Sequence, residues 1–177
     1  ISSRATAVNF GIVYGIGPLS HANFIGVSNQ DAKHYIESYL AHYGGVDSYM
    51  KNVVEKANAD GYVETMFGRR RNLPELTSSK HMIRAFGERV ARNMPIQGTA
   101  ADIIKIAMIK VDERMKAENL RARLVLQVHD ELIVEAPQDD SMRVALIVQE
   151  EMENAVKMSV PLTADAAIGR TWYDAKA

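Results

Sequence analysis

Apolar side chains recur three and four positions apart along much of the chain, and this spacing predicts a mainly helical protein. One helix is expected to begin at Ser28, because Asp31 stands three residues later in a short-armed variant of the capping box. Gly44 and Gly45 are predicted to break this helix, and Gly61 is predicted to end the next one.

The same spacing predicts three further helices, over residues 3–14, 78–119 and 139–158. Pro95 lies within the second of these. Proline lacks a backbone N–H and its ring clashes with the preceding turn, so a kink or a boundary is expected near Met94.

Short runs rich in Val, Ile and Leu predict strands instead. Residues 124–128 and 132–134 form two such runs, and only His129 and Asp130 are left to turn the chain between them. This arrangement predicts a tight antiparallel hairpin. Two-residue turns need positive φ, which Asn and Gly adopt most readily and which His and Asp tolerate at some cost.

The tip of the predicted hairpin carries an imidazole and two carboxylates, from His129, Asp130 and Glu131. A costly turn with these groups indicates a functional site. The alternative is a charged turn that simply faces water. A metal site would need further oxygen ligands from other segments, because one Asp-Glu pair cannot supply them all.

These elements predict an α+β fold in two parts. The first part, to about Lys80, is expected to be mainly helical, with a strand near residues 62–66. The second part is expected to run helix, hairpin, helix and a last strand at 161–168, with helices packed on one face of a small antiparallel sheet.

Composition narrows the class of protein. The 177 residues are 47% hydrophobic and include no Cys, which excludes a disulfide scaffold and a thiolate metal site and fits a cytoplasmic protein. No apolar run approaches the roughly 20 residues of a membrane span, so no membrane association is expected. The first residue is Ile1 rather than Met, which favours a piece of a longer chain.

Positive charge is concentrated between Arg69 and Arg92. Seven basic residues stand there against Glu75 and Glu88, a local balance of +5 in a chain of net charge -1. The seven are Arg69, Arg70, Arg71, Lys80, Arg84, Arg89 and Arg92. Such a patch suits the phosphates of a nucleic acid, and a solvated helix face is the alternative.

Two groups of side chains at helical spacing could contact a nucleic acid. Arg89, Asn93 and Gln97 are four apart, so they share one face of the predicted helix and could bind phosphates and base edges. Phe10 and Tyr14 are also four apart and could present aromatic rings to a base or sugar. Ordinary polar and core positions remain the alternatives.

Four segments, in this order, resemble the family A DNA polymerases. NFGIVYG at residues 9–15 resembles the motif of the fingers helix, and ERVARNMPIQGTAADI at 88–103 resembles the helix that contacts template and primer. QVHDELIVE at 127–135 resembles the palm motif with a catalytic aspartate, and GRRRNLPEL at 68–76 also matches. The resemblance implies a fingers subdomain at 1–80 and the C-terminal part of the palm at 81–177.

The resemblance also implies partners and residue roles. The partners would be primer–template DNA and deoxynucleoside triphosphates, and the cofactor Mg²⁺. Asp130 would be a catalytic metal ligand, Glu131 would support it, and His129 would contact the primer terminus. The remaining site residues would be Arg89, Asn93 and Gln97 for DNA, and Phe10 and Tyr14 for the nucleotide.

Two departures from the family pattern lower the expected activity. Ser2 and Thr6 stand where the family has an arginine and a lysine that hold the triphosphate. The upstream palm motif with the other catalytic aspartate is missing, as is the thumb. The isolated chain is therefore expected to be a weak or inactive polymerase fragment. A non-catalytic nucleic-acid-binding module and, less favoured, a metal-dependent phosphohydrolase built on Asp130 and Glu131 are the alternatives.

Overall fold

The computed structural model describes residue 11 and residues 26–176, and the chain divides into two compact units at residues 1–99 and 100–177. The described residues form helices and two separate two-stranded antiparallel sheets, which confirms the predicted α+β class. In chain order the elements are α1 (Asn29–His42), α2 (Gly44–Asp60), β1 (Tyr62–Glu64), β2 (Arg70–Asn72), α3 (His81–Ala117), β3 (Arg123–Val128), β4 (Glu131–Glu135), α4 (Ser141–Glu153) and α5 (Trp172–Ala175), with short 3-10 turns at Pro74–Thr77 and Gln138–Asp140.

The division between the units falls inside α3, whereas the predicted boundary between fingers and palm lies at residues 80 and 81. The boundary at residues 99 and 100 separates two compact units, whereas the predicted boundary at residues 80 and 81 separates two functional subdomains. The assignment of fingers and palm therefore stays a prediction.

The ends of α1 and α2 follow local rules. Ser28 caps α1 as predicted, because its Oγ accepts a hydrogen bond from the Asp31 N–H at 3.1 Å. Gly61 ends α2 with φ 77, the left-handed conformation that glycine adopts at low cost. The break between the helices lies at Tyr43 rather than at the predicted glycines, and Gly44 already begins α2.

Helix α3 continues through Pro95, so no helix boundary lies near Met94. The alternative expectation, a kink at this position, stays a prediction. Packing around the proline outweighs its cost. Ala91 is fully buried on one side of it, and Gly98 lies against Thr65 on the other. The Thr99 hydroxyl donates to the Pro95 carbonyl at 2.5 Å, as a side chain one turn along a helix can do.

The first unit has its own apolar core, which joins α2, β1, the first 3-10 turn and α3. Its buried members are Ala57, Val63, Leu73, Leu76 and Ala91, with Val53, Val54, Val90 and Met94 packed around them. This core holds the inner face of α3 and leaves the outer face to solvent.

The core of the second unit lies between α3, α4 and the β3–β4 hairpin. Val111, Met115, Val144 and Ile147 are buried there, and Leu132 and Val134 of β4 pack against them. Helices thus cover one face of a small antiparallel sheet, as predicted. The register pairs Val128 with Glu131, so the chain turns over two residues, also as predicted.

The predicted last strand at residues 161–168 is wrong, because this segment has no regular structure. A strand needs a neighbour, and each sheet of the described chain has only two strands. The Ala164 N–H instead donates to the Glu153 carboxylate at 3.2 Å. Among the described helices, none combines the length and apolar character that a membrane span needs.

Candidate functional site

The outer face of α3 carries the first group of predicted site residues. Arg89 and Gln97 are exposed, and Asn93 between them is half-buried. Their spacing of four places all three along one side of the helix. The Asn93 Oδ1 atom is enclosed and has no hydrogen-bond partner within the described chain. The Asn93 amide oxygen is therefore a buried acceptor that no described residue satisfies.

Exposed apolar side chains alternate with these polar ones. Met82, Phe86 and Ile96 are 83%, 45% and 39% exposed, and helical spacing places them on the same side as Arg89. The Arg89 guanidinium lies 5.9 Å from the centre of the Phe86 ring, within the range of a cation–π contact. This mixture of one cation, amides and apolar groups suits a surface that contacts sugars and bases as well as phosphates.

Part of the predicted basic patch is engaged within the protein. Arg70 pairs with Glu64 at 3.2 Å and lies 4.3 Å from the centre of the Tyr62 ring. Arg92 pairs with Glu88 at 3.6 Å. In the described residues, neither Arg71 nor Arg89 forms an ion pair. Lys80 and Arg84 likewise form no ion pair there, although Arg84 donates to the Ser78 carbonyl at 3.3 Å. These four cations have no carboxylate partner in the described residues, so they are available to neutralise phosphates.

The loop between β1 and β2 is anchored directly to α3, which the sequence did not predict. The Met66 N–H donates to the Thr99 hydroxyl at 3.0 Å. Thr65, itself buried, accepts from the Phe67 and Arg69 N–H groups, each at 3.2 Å. No spacing in the sequence links Gly98 and Thr99 to a loop more than 30 residues earlier, so this contact could not be predicted.

The second group of predicted site residues lies at the tip of the β3–β4 hairpin. His129 and Asp130 are exposed, and His129 has φ 53, which confirms the costly backbone expected there. Asp130 is not in the positive-φ region. The Gln127 side chain donates to the His129 carbonyl at 2.5 Å and steadies the turn.

The two neighbouring carboxylates have different surroundings. No hydrogen bond or ion pair to the Asp130 side chain forms within residues 26–176. Glu131 is engaged instead, since its Oε1 lies 3.1 Å from Lys176 Nζ. Its Oε2 is enclosed without a hydrogen-bond partner in the described part of the chain.

The donor chemistry of Asp130 fits Mg²⁺, which prefers carboxylate oxygens and keeps several positions for water and substrate phosphates. Asp130 would supply only one of the ligands that such an ion needs. Over the described ranges, no group of three or more His, Cys, Asp or Glu side chains could hold a metal ion together. Phe10 and Tyr14, with Ser2 and Thr6, lie outside the described residues.

Comparison with known proteins gives matches along almost the whole chain. Residues 2–174 match the sequence profile of DNA polymerase family A. DNA polymerase I of Bacillus caldotenax is 52% identical over 173 residues, and that of Lactococcus lactis is 46% identical over 173 residues. Each alignment covers 98% of this chain but 20% of the relative, so the chain spans about a fifth of the length of these curated proteins.

A solved structure agrees closely with this fold. The POL domain of Pol1 from M. smegmatis, in complex with DNA primer-template and dNTP, gives a TM-score of 0.94 at 43% sequence identity. The match covers 99% of this chain and 31% of that one.

Proposed function

Because the chain belongs to DNA polymerase family A, we propose that it forms part of a DNA-directed DNA polymerase that adds nucleotides to a primer 3′-hydroxyl under the direction of a template. The observation that carries this proposal is the strained turn at His129, which presents at the hairpin tip an Asp130 carboxylate that has no partner among the described residues. Residues 81–177 would then belong to the palm and 1–80 to the fingers.

Primer–template DNA is the proposed macromolecular partner. Arg89, Asn93 and Gln97 would contact it along the outer face of α3, and His129 would contact the primer terminus. Amide contacts in the minor groove read base identity poorly, which suits an enzyme that must accept every matched pair. The M. smegmatis relative, which binds a primer-template and dNTP, supports this assignment.

The proposed chemistry assigns Mg²⁺ to Asp130. When bound, Mg²⁺ would activate the attacking hydroxyl and stabilise negative charge on the triphosphate. The backbone conformation of His129 in the turn would position the Asp130 carboxylate. Glu131, the next residue, would support the metal site. Phe10 and Tyr14 would lie beside the incoming deoxynucleoside triphosphate.

We propose that this chain alone is weak or inactive. Asp130 is one ligand, and the described residues supply no cluster that would complete a paired-metal site. Ser2 and Thr6 cannot supply the positive charge that the family places there to hold a triphosphate. The remaining groups would come from upstream palm and thumb segments of the parent protein, which we place in the cytoplasm.

The first test of this function is binding to a duplex with a recessed 3′ end, measured by fluorescence anisotropy at several salt concentrations. Arg89→Ala should weaken binding by roughly five- to tenfold and reduce the salt slope by about 1. Arg121→Ala is the matched control, because it removes an arginine that is also exposed but is paired with Asp140 at 3.4 Å. Equal affinity of the Arg89 variant and the unaltered chain would contradict the proposed DNA face.

A further inference from the structure

The C-terminal segment contacts the hairpin tip through the ammonium group of Lys176. Lys176 Nζ lies 3.1 Å from Glu131 Oε1 and 4.7 Å from the centre of the Trp172 ring. The contact joins residues that are far apart in sequence. The neighbouring Asp130 side chain has no hydrogen-bond or ion-pair partner in the described chain.

The position of Lys176 is set by the local structure of this segment. The Thr171 hydroxyl accepts from the Asp174 N–H at 3.3 Å, and the Asp174 carboxylate accepts from the Thr171 N–H at 3.1 Å, which completes a capping box at α5. A β-carbon on Gly169 would lie 2.6 Å from the Ala175 nitrogen, so the chain folds back tightly here. We call residues 169–176 the C-terminal clasp.

We propose that Lys176 is a positioning residue for the hairpin tip, which holds Glu131 in an ion pair so that Asp130 alone is free to bind a divalent cation. This inference rests on the proposed function, because it takes Asp130 as the metal ligand. Mg²⁺ keeps several positions for water and substrate phosphates. A second free carboxylate beside Asp130 would occupy one of those positions and tighten the metal at the expense of the substrate.

The proposal predicts that the affinity for a divalent cation rises when the ion pair between Lys176 and Glu131 is removed. The test is a titration of the 177-residue chain with Mn²⁺. Binding is monitored by NMR, through the paramagnetic broadening of the backbone amide signals of His129, Asp130 and Glu131. Lys176→Gln should raise the Mn²⁺ affinity roughly fivefold or more, because it releases the carboxylate of the residue next to Asp130 from its cation. Lys176→Arg keeps the charge and the ion pair, so its affinity should equal that of the unaltered chain.

Two further variants separate release of Glu131 from simple loss of positive charge. In a Glu131→Gln background, Lys176→Gln should no longer raise the affinity, since no carboxylate remains to be released. A rise of the same size in that background would overturn the proposal. Lys116→Gln is the matched control, because Lys116 forms a comparable surface ion pair with Asp112 at 2.6 Å, and it should change nothing.

Asp130→Asn distinguishes this inference from the function on which it rests. If Asp130→Asn abolishes the broadening but Lys176→Gln leaves the affinity unchanged, the role of Lys176 is wrong and the metal ligand stands. If broadening at the tip is missing from every variant, or survives Asp130→Asn, both the inference and the metal assignment are wrong. Broadening that depends on Asp130 and strengthens in Lys176→Gln supports both.

Discussion

Two glycines on α3 allow other parts of the first unit to approach the helix more closely than a β-carbon would permit. A β-carbon on Gly98 would lie 2.7 Å from Thr65 Cγ2, and one on Gly87 would lie 3.0 Å from both Glu75 Cβ and Leu76 Cδ2. Thr65 is buried and accepts two backbone hydrogen bonds, so it cannot move away without losing them. The outer face of α3 therefore depends on small residues on its inner face.

Gly98→Ala should lower the free energy of unfolding by about 1 kcal/mol or more, because the clash with Thr65 outweighs the gain in helix propensity. Urea unfolding followed by circular dichroism measures the change. Gly45→Ala in α2 is the control, since a β-carbon there meets nothing within 4 Å, and it should stabilise the chain by up to about 1 kcal/mol. Equal stabilisation by both substitutions would contradict the close approach at Gly98.

At the scale of elements, ion pairs hold the end of α3 against α4. Arg143 donates to both carboxylate oxygens of Glu118 at 2.6 Å, and Arg114 reaches Glu118, Glu150 and Glu151 at 3.3, 2.7 and 2.8 Å. The hydrogen bonds from Arg143, with a smaller contribution from Arg114, lower the pKa of Glu118 below its usual value. The carboxylate is therefore favoured in its charged form by the folded protein.

A carboxyl group whose pKa is lower in the folded than in the unfolded protein stabilises the folded state. This stabilisation is fully present above the pKa of the unfolded protein, and it is lost as the pH falls through the pKa of the folded protein. For Glu118 this loss begins below its ordinary value of 4.5. Glu118→Gln should therefore show a shallower fall in unfolding free energy than the unaltered chain between about pH 5 and about pH 3. Urea unfolding of both proteins at several pH values measures this dependence of the unfolding free energy on pH.

Glu113→Gln supplies the control for this acid dependence, because Glu113 is an exposed glutamate on the same helix with no ion pair in the described residues. Its pH profile should follow that of the unaltered chain. A Glu118 variant with the same acid dependence as the unaltered chain would mean that the ion pairs between α3 and α4 do not contribute to stability.

Elements defined by local chemistry could be predicted from the sequence. Ser28 and Gly61 mark helix ends because a cap and a left-handed residue act on their own neighbours. The hairpin also followed from two short apolar runs. Residues 161–168 could not be predicted in this way, since a strand forms only where another strand lies beside it.

The candidate site shows the same limit. Helical spacing alone places Arg89, Asn93 and Gln97 on one face, so this part of the site could be predicted before its structure was seen. The contacts of Thr99 with Met66 and of Lys176 with Glu131 join distant positions with no periodic relation. Such contacts follow from packing, which a single sequence does not reveal.

At the scale of the whole molecule, this chain is a fraction of the polymerases that it matches, about a fifth of the B. caldotenax protein. Within residues 26–176 the second sheet has two strands, and Val125 and Leu126 of β3 are 47% and 46% exposed. Exposed apolar side chains next to an unpaired strand edge mark a surface on which further polypeptide can pack. This agrees with the proposal that other palm segments complete the metal site.

The most direct test of the proposed function is primer extension by the chain itself. The unaltered chain and Asp130→Asn would each be incubated with a matched primer–template, Mg²⁺ and all four deoxynucleotides, and bound duplex would be measured in the same samples. We expect both proteins to bind the duplex and neither to extend the primer. Template-dependent product that disappears in Asp130→Asn would contradict the proposed inactivity, and absence of duplex binding would contradict the proposed DNA contacts of the outer face of α3.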